Sequence, residues 1–373
     1  MLPFLLALQV PVLAPESEAR WVPFELTASN QIRFTMQVEG RDARAVLDTG
    51  VSTSLVTRSF AGTLGLKPIK KGRAAAIGGT VSIELAEAPR VSFGGLSRSG
   101  GRIAIADMPT LTGLAADIYI GADLLDCCAL DIDYAARRFR ILPSGRMPFT
   151  GDTAPLARTR GAGVYVTQIS INGRHLRPIL VDTGDGSSLT LTHESWAAVR
   201  PASVRLTTTL GYGAGGGVVN DMAILPGITL GGRESGEAEV RIEAAHGYSQ
   251  TTGMAGRIGT GLLLGYRVLL DPRAGRMVLR SDPAAPTVVR STSGMLVNYA
   301  SGRLEILHVM RGSPAEAAGW RAGERICAAD NVPIHTDVAA DGQVDWTIGP
   351  PGKLVRLKDC DGRERPITLA QFY

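Results

Sequence analysis

The chain has 373 residues, of which 45% are apolar and 20% charged, and its net charge is +4. This length suits two or three domains, and 45 glycines and 21 prolines with few aromatic residues are typical of short strands joined by tight turns. The arginines are scattered and no basic run is long enough to follow a phosphate backbone, so nucleic acid is not expected as a partner.

The N-terminus has the pattern of a signal peptide. It is apolar and uncharged up to Glu16, and Ser17 and Ala19 fit a cleavage site. We predict a signal peptide over residues 1–19 and an exported protein, periplasmic or secreted. An N-terminal strand or a short anchor is the alternative, because no lysine or arginine follows Met1. The stretch is short for a membrane span and no later segment is long enough, so no span is expected in the mature chain.

The tripeptide Asp-Thr-Gly occurs at residues 48–50 and again at 182–184, each time directly after three apolar residues. The pattern predicts two buried strands that each end on one carboxylate, Asp48 and Asp182. If the two halves fold alike and face each other, these carboxylates meet. A pair that shares one proton can activate water against a peptide bond.

The repeat extends on both sides of the tripeptides. Residues 34–47 and 164–181 each show a strand, a turn and a second strand, which predicts a hairpin leading into each aspartate. Downstream, Ile120-Gly121 and Ile258-Gly259 follow the two aspartates at similar spacing. A single Asp-Thr-Gly would be an ordinary strand-to-turn signal. Two copies in register with a second matched motif favour a duplicated catalytic unit.

On these motifs the chain resembles aspartyl proteases of the retropepsin and pepsin superfamily, with both lobes on one polypeptide. The resemblance covers about residues 21–285. It implies a mostly β fold with two pseudo-symmetric pepsin/retropepsin-like lobes, residues 20–148 and 149–285, and a polypeptide substrate. It implies Asp48 and Asp182 as the catalytic pair, with no metal and no cofactor. The residues implied to support the pair are Thr49, Gly50, Gly121, Thr183, Gly184 and Gly259.

Two glycine-tipped turns lie between the motifs, one in each half, where family members carry a hairpin (a flap) that closes over substrate. The candidates are Gly78 and Gly79 in the first half, and Tyr212 and Gly213 in the second. An ordinary exposed hairpin is the alternative at each place.

The second copy departs from the family pattern at Asp185, three residues after Asp182. An inward-facing Asp185 would raise the apparent pKa values of the pair and disturb its shared proton. We expect Asp185 to face the substrate cleft or solvent.

A segment of different composition follows a proline-rich join at residues 281–286. Its Gly-Ser-Pro-Ala sequence predicts a short helix capped by Ser313, with a strand on either side. This order closely resembles the PDZ domains of bacterial exported proteases, which implies a small α+β PDZ domain over residues 290–373. Such domains bind a peptide C-terminus by adding it as a strand. The implied peptide-binding residues are Gly294, Met295, Leu296 and Val297.

The four cysteines lack metal-binding spacing. We expect the adjacent Cys127 and Cys128 to be plain core residues, whereas Cys327 and Cys360 are either a disulfide or two thiols. The glycines at 211, 213 and 216 match a dinucleotide-binding fingerprint by chance, because the residues after them are extended rather than helical.

The sequence therefore predicts an exported aspartic endopeptidase with a C-terminal PDZ domain. Two alternatives stay open. One is a catalytically inactive protease-fold scaffold whose PDZ domain binds peptides, and the other is a processing protease with a single partner.

Overall fold

The computed structural model describes residues 11–108, 116–284, 287–335 and 344–373. Within these ranges strands predominate and are grouped in four sheets, with only short helices between them. The prediction of a mostly β chain is confirmed. Four parts of the predicted domains lie outside the described residues: 1–10 of the signal peptide, 109–115 of the first lobe, 285 of the second lobe and 336–343 of the PDZ domain.

In the first half the described residues, 11–108 and 116–148, form short strands with two α-helices and one 3-10 helix. The strands are β1 (Val12–Leu13), β2 (Val22–Pro23), β3 (Glu25–Leu26), β4 (Ile32–Val38), β5 (Arg41–Leu47), β6 (Leu55–Thr57), β7 (Pro68–Ala76), β8 (Gly79–Glu87), β9 (Val91–Phe93), β10 (Leu96–Arg98), β11 (Arg102–Ala106), β12 (Ile118–Ile120), β13 (Cys128–Asp133) and β14 (Arg138–Pro143). The helices are α1 (Arg58–Thr63), α2 (Ala122–Leu125) and the 3-10 helix Ser17–Ala19.

Most strands of the first half form one sheet in the order β1-β10-β9-β4-β5-β12-β6-β11-β8-β7, with β3 beside β4. Every second residue of β4 is buried, as expected for a strand with one face on the core. Its neighbour β5 is central, because β4 pairs with it on one side and β12, in parallel, on the other. This explains why residues 45–47 are apolar without alternation.

The second half, residues 149–284, likewise consists of short strands and short helices. Its strands are β15 (Asp152–Pro155), β16 (Ala157–Arg158), β17 (Tyr165–Ile171), β18 (Arg174–Asp182), β19 (Leu189–Leu191), β20 (Thr207–Gly213), β21 (Gly216–Leu225), β22 (Thr229–Leu230), β23 (Arg233–Glu234), β24 (Ala238–Ile242), β25 (Gly256–Gly259), β26 (Tyr266–Asp271) and β27 (Arg276–Ser281). Its helices are α3 (His193–Val199), α4 (Tyr248–Thr251) and α5 (Thr260–Leu263).

The main sheet of the second half runs β20-β21-β24-β19-β25-β18-β17-β22-β23, with β16 beside β17. Here the hairpin β17–β18 precedes the second aspartate, and β18 pairs in parallel with β25. The hairpin β4–β5 and the parallel pair β5 and β12 have the same arrangement in the first half. Both hairpins that the sequence predicts are therefore present.

A third sheet joins the two halves in the order β15-β27-β26-β13-β14-β2. Its centre is the antiparallel pair β13 and β26, in which Leu130 lies opposite Leu270. Asp131 is fully buried there and binds Arg140 at 2.9 Å and Arg267 at 2.8 Å. One hydrophobic core runs through both halves, so they form one packed body.

The C-terminal segment, residues 287–373, has its own sheet and its own core, which includes Trp320 and Trp346. The strands are β28 (Met295–Tyr299), β29 (Leu304–Val309), β30 (Arg325–Ala329), β31 (Val332–Pro333), β32 (Leu354–Asp359) and β33 (Glu364–Thr368), in the order β28-β29-β30-β32-β33 with β31 beside β30. The helices are α6 (Pro314–Ala317) and the 3-10 helix Asp345–Ile348. As predicted, Ser313 caps α6 by accepting the N–H of Glu316 at 3.1 Å.

Both cysteine pairs form disulfides. Of the two alternatives for Cys327 and Cys360, the structure has the bond, which links β30 to the turn after β32. The prediction that Cys127 and Cys128 are plain core residues is wrong, because they bond to each other. Residues 126 and 127 form the turn between α2 and β13, and this turn brings the two neighbouring sulfur atoms together.

Residues 11–19, the described part of the predicted signal peptide, pack on the first half. Strand β1 pairs with β10, and Ser17 is fully buried. This segment is part of the folded body. No helix within the described ranges is long and apolar enough to cross a membrane.

Candidate active site

The two predicted aspartates are brought together by the strands that carry them. Asp48 follows β5, and Asp182 is the last residue of β18. The two carboxyl groups hydrogen-bond to each other. Each lies against the glycine of the opposite tripeptide, because a Cβ atom on Gly50 would overlap the carboxyl group of Asp182, and one on Gly184 that of Asp48. Only glycine at these positions leaves room for the pair.

Backbone amides of the same loops orient the carboxylates. The N–H of Gly50 donates to Oδ1 of Asp48 at 3.1 Å, and the N–H of Gly184 donates to Oδ1 of Asp182 at 3.0 Å. Asp182 Oδ1 also accepts the N–H of Asp185 at 3.1 Å. These bonds favour the ionised forms, and Asp182 receives one more of them than Asp48.

Thr49 and Thr183 connect the two loops by reciprocal hydrogen bonds. Each hydroxyl accepts the N–H of the opposite threonine at 3.1 Å. Each also donates to a carbonyl of the opposite strand, Thr49 to Val181 at 2.7 Å and Thr183 to Leu47 at 2.8 Å. Both threonines are fully buried. These four bonds fix the separation of the aspartates, which is the supporting role that the resemblance to aspartyl proteases implies for the threonines.

The glycines of the second motif lie directly beside the aspartates. The N–H of Asp48 donates to the carbonyl of Ile120 at 2.9 Å, and Gly259 is the register partner of Asp182. A Cβ atom on Gly121 would be 2.7 Å from the carbonyl oxygen of Val51, and one on Gly259 would overlap the carbonyl of Asp185. Gly121 and Gly259 therefore allow the two loops of each half to pass in contact.

The pKa values of both aspartates are raised. Burial, the charge of Asp182 and the hydrogen bond to Asp182 hold the pKa of Asp48 well above its ordinary value. Burial and the charge of Asp185 raise the pKa of Asp182 to about 6, and Arg257 opposes them. Asp182 accepts two backbone N–H groups and Asp48 accepts one, which favours the negative charge of the singly protonated pair on Asp182.

The expectation that Asp185 faces the cleft or solvent is wrong. Its side chain is 8% exposed and forms an ion pair with Arg257 at 2.5 Å. Burial alone would raise the pKa of Asp185, but the guanidinium groups of Arg257 and Arg241 hold it below its ordinary value. Arg257 also binds the buried Glu243. Arg257 and Glu243 were missed in the sequence, although a charged residue just before Ile258 was a usable signal.

The flap candidates lie at the tips of two hairpins. Gly78 and Gly79 are at the turn that joins β7 to β8, and Tyr212 and Gly213 end β20 before the turn to β21. The tips touch, because the N–H of Gly215 donates to the carbonyl of Ile77 at 2.9 Å. A Cβ atom on Gly213 would overlap Ile77. The two halves are thus joined at the hairpin tips as well as at the threonines.

The predicted peptide-binding residues lie in the C-terminal segment, beside α6. Gly294 precedes β28 with φ +77°, and its carbonyl accepts the N–H of Met310 at 2.8 Å. Met295, Leu296 and Val297 form the first part of β28, which is the outermost strand of its sheet among the described residues.

The C-terminal segment contacts the base of the second hairpin, which no sequence signal indicated. Arg311 donates its N–H to the hydroxyl of Thr208 at 3.1 Å, accepts the hydroxyl of Thr207 at its carbonyl at 2.8 Å, and binds Asp221 at 2.9 Å. His308 also bonds Thr208, at 2.9 Å. Movement of this hairpin would therefore change its contacts with the C-terminal segment.

Comparison with known families gives one match. A family model described as aspartyl protease covers residues 34–124. The first half is similar to aspartyl proteases. The matched stretch begins in β4 and includes Asp48, the β7–β8 hairpin, Gly121 and the start of α2. The match indicates a peptide hydrolase. A comparison with curated proteins finds no match.

Replacing Thr49 by valine is expected to lower the free energy of unfolding by about 1–3 kcal/mol, because it leaves the buried N–H of Thr183 and the carbonyl of Val181 without their hydrogen-bond partner. Thr49→Ser keeps the hydroxyl and is the matched control. Urea unfolding of both variants checks this. Equal stability of the two variants would contradict the importance of these bonds.

Replacing Gly213 by alanine is expected to separate the hairpin tips, since the new Cβ overlaps Ile77. The amide of Gly215 should then exchange its hydrogen faster, while the unfolding midpoint stays the same. Gly211→Ala in the same strand is the control, because the nearest neighbour of its Cβ is the flexible end of Arg241 at 3.3 Å. If the Gly215 amide exchanges at the same rate in both variants, the contact between Gly213 and Ile77 does not hold the tips together.

Proposed function

We propose that the protein is an aspartic endopeptidase that hydrolyses peptide bonds with a water molecule activated between Asp48 and Asp182. One observation carries the proposal: two carboxyl groups from separate halves meet, each packed against the glycine of the opposite Asp-Thr-Gly, and burial together with their interaction raises the pKa of Asp48. Two like charges in contact repel, so such a pair is costly unless it holds a proton. Perturbed acids of this kind are typical of catalytic sites.

We further propose that residues 20–148 and 149–285 are two pseudo-symmetric lobes of the pepsin/retropepsin type. The matching hairpins before each aspartate and the matching parallel pairs, β5 with β12 and β18 with β25, support this. The similarity of residues 34–124 to aspartyl proteases supports it for the first lobe.

In the proposed mechanism the two aspartates have different roles. Ionised Asp182 takes a proton from water, whose oxygen attacks the scissile carbonyl carbon, while Asp48 gives its proton to the carbonyl oxygen. The resulting diol collapses: Asp182 passes its proton to the amide nitrogen, the C–N bond breaks, and Asp48 recovers a proton from the diol. The pair ends with one proton, as it began. This chemistry requires neither a metal nor a cofactor.

The two hairpins have the role of flaps in this proposal. Their tips, joined between Ile77 and Gly215, must separate for a polypeptide to enter and can close over it afterwards. Closure excludes water other than the attacking molecule and positions the peptide.

One argument for the inactive-scaffold alternative was Asp185 beside the pair. The charge of Asp185 does raise the pKa of both aspartates, but its carboxylate is paired with Arg257, whose charge lowers the pKa of Asp182. A raised pKa keeps a proton on the pair, which the proposed catalysis requires, so we favour catalysis by the pair.

The decisive experiment uses Asp48→Asn and Asp182→Asn. Each removes one acid with little change of shape, so cleavage of a proteome-derived peptide library near pH 6 should fall by about 10²–10⁴-fold. Asp107→Asn, at an exposed ion pair with Arg58, is the control and should cleave normally. Full activity in the Asp48→Asn or the Asp182→Asn variant would refute the mechanism. Peptide binding without cleavage by the unmodified protein would favour the scaffold, and cleavage of one native protein alone would identify a dedicated processing protease.

We also propose that residues 290–373 are a PDZ domain that binds peptide C-termini at residues 294–297. An outermost strand, β28, preceded by a glycine with positive φ supports this, because strand addition needs an unpaired edge. Its contacts with the second hairpin would link peptide binding to the flaps.

Peptides with a free C-terminal carboxylate are expected to bind this segment about 10–100-fold more tightly than the same peptides with a C-terminal amide, because a hydrogen-bonded charge is lost. Fluorescence polarisation with the Asp48→Asn variant, which leaves the peptides intact, measures the difference. Equal affinity for the two forms would contradict carboxylate recognition.

Localisation is also a proposal. Two disulfides within one chain suit an oxidising compartment, so we propose export to the periplasm or the medium. Cleavage after Ala19 would remove β1, which pairs with β10. We therefore propose that any processing site lies before Val12 rather than after Ala19.

A further inference from the structure

A buried ion triad lies next to Asp182. The guanidinium of Arg257 donates to Asp185 at 2.5 Å, to Glu243, and to the hydroxyl of Ser249 at 3.1 Å. The side chains of Arg257, Glu243 and Asp185 are 4%, 5% and 8% exposed. Charges so far removed from water act strongly on their neighbours.

The triad is connected to the aspartate pair through Asp185. Its backbone N–H donates to Asp182, and its carboxylate is held by Arg257 on one side and by the N–H of Ser187, at 2.8 Å, on the other. The position of Arg257 therefore determines how this loop presents its amide and its charge to Asp182.

The first half has no charges at the corresponding positions. Val51 stands three residues after Asp48, where the second half has Asp185, and Tyr119 stands before Ile120, where the second half has Arg257. Burial, with a contribution from the charge of Asp48, raises the pKa of Tyr119 to about 12, so this side chain stays neutral. The two members of the pair therefore experience different electric fields.

We propose that Arg257, clamped by Asp185 and Glu243, is a positioning residue that keeps the negative charge of the singly protonated pair on Asp182 and the proton on Asp48. The inference rests on the proposed protease function, because it assigns Asp182 as the base and Asp48 as the acid. Arg257 acts through Asp185 and through its own charge.

The groups that face the pair and the triad come from several elements, and their effects have opposite signs. The charge of Asp185 raises the pKa of Asp48 and of Asp182, and that of Arg257 lowers the pKa of Asp182. The charged and titratable groups concerned are Asp48, Asp182, Asp185, Arg257, Arg241 on β24, Glu243, Tyr248 on α4 and Tyr119 on β12.

The pH profile of kcat/KM tests the proposal. In the unmodified protein activity should rise as the pH increases through about 6, where Asp182 ionises, and fall where Asp48 loses its proton. We call this rise of activity with pH the acidic limb. Arg257→Met should move the acidic limb to higher pH by about one pH unit, because the negative charges of Asp185 and Glu243 are then uncompensated. Asp185→Asn should move it to lower pH, because the charge of Asp185, which raises the pKa of Asp182, is then gone while that of Arg257 stays.

Two further variants separate this role from a purely structural one. Arg267→Met removes one partner of the buried Asp131 in the sheet between the halves and should lower stability without moving the acidic limb.

The triple variant Arg257→Met, Asp185→Asn, Glu243→Gln leaves no unpaired charge in the triad, so it remains a test if Arg257→Met does not fold. The acidic limb of the triple variant should lie at higher pH than that of the double variant Asp185→Asn, Glu243→Gln, because these two proteins differ only in the charge of Arg257, which lowers the pKa of Asp182. Shifts of Arg257→Met and Asp185→Asn in the same direction, or no shifts, would overturn the proposal.

A ¹³C NMR titration of the aspartate carboxyl carbons measures the same quantities without substrate. If Asp182 titrates below Asp48 and the variants shift as stated, but no peptide is cleaved, the inference holds and the protease function fails. If cleavage depends on Asp48 but the titrations of Asp48 and Asp182 are unchanged in the variants, the function holds and the inference fails.

Discussion

Two carboxyl groups in hydrogen-bond contact and removed from water are the constraint on which the rest of the structure depends. Like charges repel at this distance, so the pair persists only with a proton between its members and with both strand ends held in place. The buried hydroxyls of Thr49 and Thr183 hold them by bonding the opposite backbone. The antiparallel pair of β13 and β26, farther along the chain, holds the two halves together as well.

The halves agree in strand pairing and differ in charge. Around Asp48 the corresponding positions are Val51 and Tyr119, while around Asp182 they are Asp185 and Arg257. A buried ion triad contributes little to stability compared with apolar side chains of the same volume. We therefore explain its place beside one aspartate by its effect on the pair, because the proposed mechanism needs one acid and one base rather than two equal groups.

The hairpins and the C-terminal segment form a second set of connections. The hairpin tips meet between Ile77 and Gly215, and the base of the second hairpin is bound to Arg311 and His308. One hairpin therefore contacts both the first half and the C-terminal segment. A change of conformation in the first half or in the C-terminal segment can therefore move this hairpin without contacting the aspartates.

The sequence by itself determined the strands that end on Asp48 and Asp182, the hairpins before them, the two glycine-tipped turns and the helix capped by Ser313. These features depend on apolar runs and on turn or cap residues within a few positions, which a local pattern contains. Only the tertiary structure decided the direction of Asp185, the contact between the hairpin tips and the docking of the C-terminal segment. Arg257 is 72 residues from Asp185 along the chain, and Arg311 is 103 residues from Thr208. Which charges and hydroxyls meet over such separations is set by the packing of sheets, and no short stretch of sequence specifies that packing.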